Sequence, residues 1–460
     1  MIYGQEERAH DAHANGRDVL FAPVAAGLKG TVRVPGDKSI SHRAVMLGGV
    51  SEGRVEVTGF LRSADTLATV DAMRALGVRV DEEGEGQLTV HGVGLEGLRE
   101  PTDVIDVRNA GTLIRLLPGL VAGSRFLCVL TGDASIRSRP MARIVEPLSR
   151  MGASVWGRDG DRLPPLVVRG GGLSGIHHQM EVASAQVKSC LLLAGLSAEG
   201  ETQVVEPGPT RDHTERMIRF GGGRVEKEGR VDGPGTVTVR PLERLRLPGI
   251  DVPGDFSSAA FLIVAALLAS ESDLLLERVG LNPTRTGLLS VLERMGADVS
   301  IERCDESGAE PIGDLRARSS RLLATDVSAE EVPLMIDELP IWALAAAAAE
   351  GTSRVRGARE LRVKESDRLA TTAALLRSLG VVVSAYEDGM DIVGVGGTRS
   401  DAEPPWVGDT RVLAGGDHRI AMVGAVAGYV SGKGVLVDDT DCITVSFPGF
   451  ADTIARVGQR

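Results

Sequence analysis

Cysteine and aromatic residues are scarce in this sequence, and long apolar runs are missing. Its four cysteines, Cys128, Cys190, Cys304 and Cys442, stand far apart without a C-x-x-C pair. That excludes the usual zinc spacing and a disulfide framework, and it suits a reducing cytoplasmic compartment. Aromatics make up only 3% of the chain while glycine occurs 58 times, so the expected core is built of small aliphatics between many tight turns. The most apolar stretches, Phe256 to Ala269 and Ile341 to Ala349, fall short of the roughly 20 residues that a membrane-crossing helix needs. They read as buried helices, and no membrane partner is expected. The first residues carry Glu6, Glu7, Arg8 and Asp11 where a secretory signal would need an apolar segment, so Met1 to Asp18 reads as a loose tail without an export mark. The formal net charge of −12 argues against a nucleic-acid partner but leaves room for a local basic cleft.

What is present is repetition. At 460 residues the chain is long enough for two or three domains. A long aliphatic residue, a glycine and a short β-branched strand recur at Gly77, Gly152, Gly221, Gly296, Gly380 and Gly458, spaced 69 to 84 residues apart. Each glycine follows an amphipathic stretch, as when a helix ends on a residue in the left-handed conformation. The tetrapeptide V-P-G-D occurs at Val34 and again at Val252, 218 residues later. That separation is close to three repeat lengths, so six units divide into two groups of three, and the tetrapeptides mark equivalent points in the two halves.

The first V-P-G-D continues K-S-I-S-H-R, a Gly, Lys and Ser that suggest a phosphate loop. The Walker pattern requires G-x-x-x-x-G-K-[ST]. Here Asp37 separates Gly36 from Lys38, and Gly30 lies one position too far upstream. Gly92 to Gly97, G-V-G-L-E-G, resembles a dinucleotide fingerprint, but R-E-P-T-D follows instead of a helix, so it reads as turns between short strands. Ser39 or Ser41 would instead cap a helix through His42, Arg43 and Met46, whose N-terminus favours an anion. Further segments join cationic residues to small turns: R-N-A-G-T-L-I-R at 108–115, D-A-S-I-R-S-R-P at 133–140, S-A-Q-V-K-S at 184–189, T-R-D-H-T at 210–214 and D-H-R-I-A-M at 417–422. In R-V-K-E-S-D-R-L at 362–369, Lys364 and Arg368 are four apart and would share a helical face beside Glu365. In M-I-D-E-L-P at 335–340, Asp337 and Glu338 are each either a helix cap or a carboxylate held in a basic cleft.

These motifs, in this order from about Ala25 to Phe450, resemble those of the 5-enolpyruvylshikimate-3-phosphate synthase family of enolpyruvyl transferases. The resemblance implies an α/β fold of two domains, each of three β-α-β-α-β-β units, joined by a double-crossover hinge. The expected division is a flexible tail at 1–21, a first domain of 22–36 with 252–460 on the phosphoenolpyruvate side, and a second of 37–251 on the shikimate 3-phosphate side. It further implies transfer of the enolpyruvyl group of phosphoenolpyruvate to the 5-hydroxyl of shikimate 3-phosphate, without cofactor or metal, by a cytoplasmic monomer. By family position Lys38, Ser39, Arg43, Ser184, Gln186, Arg211, Asp337 and Lys364 should hold shikimate 3-phosphate. Lys38, Gly111, Arg139, Gln186, Arg368 and Arg419 should surround phosphoenolpyruvate. Asp337 is the expected base and Glu365 the expected acid or proton shuttle, with Lys38 reaching both substrates.

Two positions qualify the resemblance. Many relatives carry a lysine two residues before the C-terminal Phe-Pro, where this chain has Val445. Gly111 stands where some herbicide-tolerant relatives have Ala, so inhibition by glyphosate is expected. The alternatives are the sister transferase acting on UDP-N-acetylglucosamine, disfavoured because Ala134 occupies the position of its usual reactive Cys, and a silent binding protein of the same fold.

Overall fold

The computed structural model describes residues 18–23, 27–396, 406 and 411–458. One unit shows how the sequence builds the whole. Strand Ile105–Asp106 leads into helix Gly111–Val121, strand Leu127–Thr131, helix Ala142–Arg150, then strands Ser154–Gly157 and Leu163–Arg169. The lead strand runs parallel to Leu127–Thr131, which needs a helical crossover, and the remaining neighbours are antiparallel. Five four-stranded sheets share this pattern of one parallel and two antiparallel pairings, and a three-stranded sheet completes the set among the described residues. The result is the mixed α/β architecture of six repeated units in two halves.

Four of the six recurrent glycines end the second helix of their unit in the left-handed region. Gly77, Gly152, Gly296 and Gly380 have φ of +89°, +106°, +79° and +84°, a region that costs residues with a Cβ. The chain closes there in the same way each time. Gly77 N–H donates to Arg74 C=O and Val78 N–H to Met73 C=O, both at 3.0 Å, which satisfies carbonyls left open at the helix end. Two of the six expected ends differ. In the third unit the left-handed residue is Gly222 (φ +88°), one place after Gly221, because Gly221 still closes helix His213–Phe220. Gly458 lies within the last helix, Phe450–Gly458. Most of the expected tail, residues 1–17, lies outside the described residues. Val19–Phe21 is not loose: it forms a strand antiparallel to Val435–Val437, with Phe21 buried against Tyr429 at 5.4 Å between ring centroids.

The two V-P-G-D segments explain how the halves are joined. Lead strand Lys29–Val32 pairs with Asp273–Gly280 in the C-terminal half, after which the chain passes through Pro35–Gly36 into helix Lys38–Gly49 of the other half. Lead strand Ile250–Asp251 pairs with Glu52–Thr58, and the chain returns through Pro253–Gly254 into helix Phe256–Leu268. Each half thus takes its first lead strand from chain that then crosses to the other half. The crossings run antiparallel, with Asp37 N–H donating to Pro253 C=O and Asp255 N–H to Pro35 C=O, each at 2.8 Å. A Cβ at Gly36 would lie 1.8 Å from Gly59 C=O, so only glycine fits this approach.

Two separate apolar cores result. One gathers Phe21 to Val34 with Phe256 to Val457; the other gathers Ile40 to Val252. Helix Phe256–Leu268 is buried at all 13 positions and helix Leu339–Ala348 at all ten, as their uniformly apolar sequences require. Each fully buried Leu, Ile or Phe there contributes about 1.5–3 kcal/mol. No helix among the described residues is long and apolar enough to cross a membrane.

Candidate active site

The N-terminal half supplies a basic wall. Helix Lys38–Gly49 is capped by Asp37, whose carboxylate accepts from Ile40 N–H at 2.9 Å, rather than by Ser39 or Ser41. Asp holds the cap because it precedes the first helical residue, while Ser41 Oγ turns to accept from Leu61 N–H at 3.0 Å. Lys38 Nζ lies 3.1 Å from Asp65 Oδ2. Arg43 is buried, donating from Nε to Thr214 Oγ1 at 2.7 Å, from Nη1 to Ser39 C=O at 2.9 Å and from Nη2 to Ser189 Oγ at 2.9 Å. Ser184 caps helix Ala185–Gly195, which presents Gln186 beside Arg115; Arg115 Nη1 donates to Gln186 Oε1 at 3.0 Å. A Cβ at Gly111 would sit 2.7 Å from Arg139 Nη1, so the Arg139 guanidinium lies against bare backbone.

The C-terminal half supplies carboxylates among arginines. Asp337 lies between helices Val332–Met335 and Leu339–Ala348 without capping the second, and Glu338 makes no side-chain cap either. Arg368 Nη1 reaches Asp337 Oδ1 at 3.3 Å, its Nη2 reaches Glu365 Oε2 at 2.7 Å, and its Nε reaches Asp417 Oδ2 at 2.8 Å. Arg419 Nη2 lies 3.7 Å from Asp337 Oδ2, while its Nη1 donates to Asp337 C=O at 3.2 Å. Lys364 and Arg368 do not share a helix. Residues Arg359–Val363 form a 3₁₀ turn, and Asp367 caps a new helix that begins at Arg368. Lys364 Nζ consequently pairs with Glu360 at 3.3 Å.

The two walls meet at Asp337, whose carboxylate accepts a hydrogen bond from Arg211 Nη2 across the halves. Burial alone would push Asp337 up. Arg419, then Arg211, Lys364 and Arg368 overcome it and hold the carboxyl well below its ordinary range. Glu365 behaves alike: burial opposes ionisation, but Arg368 above all, with Lys38 and Arg139, keeps it ionised. Lys38 and Arg139 come from one half and Glu365 from the other, so the fields converge on one cleft. Burial, with Arg139 and Arg143 adding to it, lowers Arg115 to about 10. Val445 ends the 3₁₀ segment Thr440–Val445, which packs on the helix carrying Arg419.

Several participants were not singled out in the sequence. Asp65 faces Lys38, Asp417 anchors Arg368, and His418 is buried with its pKa pulled down to about 3, chiefly by burial and then by Arg419. Asp417, His418 and Arg115 lie inside quoted motifs, so weighing every polar residue of those motifs would have found them. Asp65 has no such signal.

A buried histidine beside this wall gives a stability test. Burial, with smaller contributions from Lys38 and Arg43, outweighs Asp65 and Asp37 and brings His42 from its ordinary 6.5 to about 3. The unfolded chain therefore binds this proton more tightly, and stability falls as pH drops from 6.5 toward 3, by about 1.4 kcal/mol per pH unit for this group. His42→Gln should flatten the pH dependence of the urea midpoint between pH 6.5 and 5. Equal slopes for variant and parent would contradict the assignment.

Six units in two halves enclose arginines around two carboxylates, a two-domain α/β fold with a basic cleft suited to anionic ligands. The enolpyruvyl transferase NikO of Streptomyces tendae shares the fold at a TM-score of 0.75 over 96% of this chain and 98% of that one, at 19% identity. EPSP synthase from Acinetobacter baumannii matches more closely, at a TM-score of 0.87 and 43% identity, covering 96% of this chain and 98% of its own. The family model EPSP synthase (3-phosphoshikimate 1-carboxyvinyltransferase) matches residues 24–454. The 3-phosphoshikimate 1-carboxyvinyltransferase of Geobacter metallireducens is 50% identical over 95% of this chain and 98% of its own length. That of Halorhodospira halophila is 50% identical over 96% and 97%. The chain belongs to the EPSP synthase family.

Proposed function

We propose that this enzyme transfers the enolpyruvyl group of phosphoenolpyruvate to the 5-hydroxyl of shikimate 3-phosphate and releases phosphate. The observation that carries the reading is Asp337, held ionised at the junction of the halves by Arg211 from one side and Arg368 and Arg419 from the other. Family membership supports the two substrates, and the relatives at about 50% identity are named for this reaction, which disfavours the sugar-nucleotide alternative.

In this reading residues 37–251 form the shikimate 3-phosphate domain and 22–36 with 252–460 the phosphoenolpyruvate domain, a division supported by the two cores. Lys38, Ser39, Arg43, Ser184, Gln186, Arg211, Asp337 and Lys364 hold shikimate 3-phosphate. Lys38, Gly111, Arg139, Gln186, Arg368 and Arg419 hold phosphoenolpyruvate, whose carboxylate and phosphate suit forked guanidinium contacts. Asp337 takes the proton of the attacking hydroxyl as its oxygen bonds to C2, and Glu365, protonated once the bound anions offset its cations, gives that proton to the methylene carbon, forming a tetrahedral intermediate. Glu365, now a carboxylate, takes a methyl proton back; the C–H electron pair forms the C=C as the C2–O bond to phosphate breaks, leaving the enol ether and phosphate. The surrounding cations make both carboxylates poor bases. Two polyanions would neutralise those cations and raise both pKa values toward useful ones. The four free thiols, two of them buried, support a cytoplasmic setting, and the monomer is part of the same reading.

The test is phosphate release from purified protein, expected only when both substrates are present; release with either alone, or none with both, would overturn the reading. Glyphosate should inhibit competitively against phosphoenolpyruvate, because Gly111 leaves the Arg139 guanidinium uncrowded. Full activity at glyphosate concentrations well above the substrate KM would contradict that.

A further inference from the structure

Arg285 stands at the centre of the double crossing, in the turn between strand Asp273–Gly280 and helix Gly287–Arg294. Its side chain is buried and forks between the halves. Nη1 lies 3.3 Å from Asp37 Oδ2, and Nη2 lies 3.1 Å from Asp255 Oδ1 and 2.7 Å from Ser257 Oγ. Those aspartates are the fourth residues of the two V-P-G-D segments, and each caps the helix that leaves its crossing: Asp37 accepts from Ile40 N–H at 2.9 Å and Asp255 from Ser257 N–H at 2.8 Å. One helix begins with Lys38 and Ser39. The other bears Ser257, whose hydroxyl donates to Glu338, next to Asp337.

The same turn touches the first half again. Asn282 Nδ2 donates to Asp212 Oδ1 at 2.7 Å and to Glu310 Oε2 at 2.9 Å, and Asp212 follows Arg211. Arg285 N–H closes the turn on Asn282 C=O at 2.8 Å. The turn therefore holds the residues that adjoin Lys38 and Arg211 in one half and, through Ser257 and Glu338, reaches the neighbour of Asp337 in the other. We propose that Arg285 is a positioning residue for the transfer reaction: by joining the caps of the two crossing helices it sets Lys38 against Asp337 across the hinge. A guanidinium suits this because its fork spans two carboxylates in fixed geometry, which an ammonium cannot do.

This proposal rests on the reaction proposed above. Arg285→Met alone leaves two buried carboxylates without a partner and should lower the melting temperature. The deciding variant is therefore Arg285→Met with Asp37→Asn and Asp255→Asn, which keeps both caps and removes the unpaired charges. It should regain the parent melting temperature, yet show at least a 30-fold lower kcat with KM for shikimate 3-phosphate within threefold. Parent-like kcat in this triple variant would reduce Arg285 to charge compensation and overturn the proposal. Should the triple variant not fold, Arg285→Lys decides: a tenfold or larger fall in kcat at an unchanged melting temperature supports positioning, and parent-like turnover overturns it. If the parent protein itself releases no phosphate, the reaction assignment fails instead. Small-angle scattering without substrate then judges the strut: a larger radius of gyration in the triple variant supports it, and an unchanged one overturns it.

Discussion

Asp337→Asn should lower kcat by about 10²–10⁴-fold, the range for loss of a general base. The substitution keeps the shape of the side chain and one oxygen, which can serve either Arg368 or the Arg211 and Arg419 pair but not both, and it removes the charge that accepts the hydroxyl proton. It also removes a negative charge from beside an anionic substrate. Calorimetry should accordingly show shikimate 3-phosphate binding at least as tightly as to the parent. Parent-like kcat would take Asp337 out of proton transfer, and a loss of affinity equal to the loss of kcat would make it a binding group. The effect has an upper bound, because orientation of two bound substrates supplies about 7–11 kcal/mol of barrier reduction on its own and the arginines that provide it stay in place.

Arg368→Met should cost both stability and catalysis. Arg368 is 1% exposed and is the shared partner of Asp337, Glu365 and Asp417. Asp417, which also caps helix His418–Val430 by accepting from Arg419 N–H at 3.0 Å, would be left buried without its cation. The expected loss of unfolding free energy is about 3–5 kcal/mol, measurable as a drop in the urea midpoint. Truncating one partner of such a buried charge pair typically costs about 2–5 kcal/mol of binding, which corresponds to on the order of 30- to 5,000-fold in kcat/KM for phosphoenolpyruvate. Arg368→Lys keeps the charge and loses the fork, so KM for phosphoenolpyruvate should rise while the urea midpoint largely recovers. A Met variant with parent-like stability and KM would refute both parts.

The sequence by itself determined much of this protein. The helix-ending glycines set the unit length, since a left-handed residue at a helix end is a local requirement that any sequence-distant neighbour must accept. The duplicated V-P-G-D marked equivalent points three units apart, and the cationic motifs carried most of the cleft: Lys38, Arg139, Arg211, Arg368, Arg419 and the two carboxylates. Local reading failed where competing caps were close together. Asp37 displaced Ser39 and Ser41, and Asp367 split a helix expected to carry both Lys364 and Arg368. In each case a carboxylate one residue from the basic group held the helix start.

Tertiary structure alone decided which partners face each other over long separations. Nothing near Asp65 in sequence announces that it meets Lys38. Nor does the turn at Asn282 to Arg285 announce that it joins Asp212, Asp37 and Asp255, because charge pairing across a hinge depends on how two separately built cores are docked. The same holds for ionisation. Asp337 has no unusual local sequence, and it is the convergence of four cations from three distant segments, in a site dry enough for their fields to act, that keeps it charged.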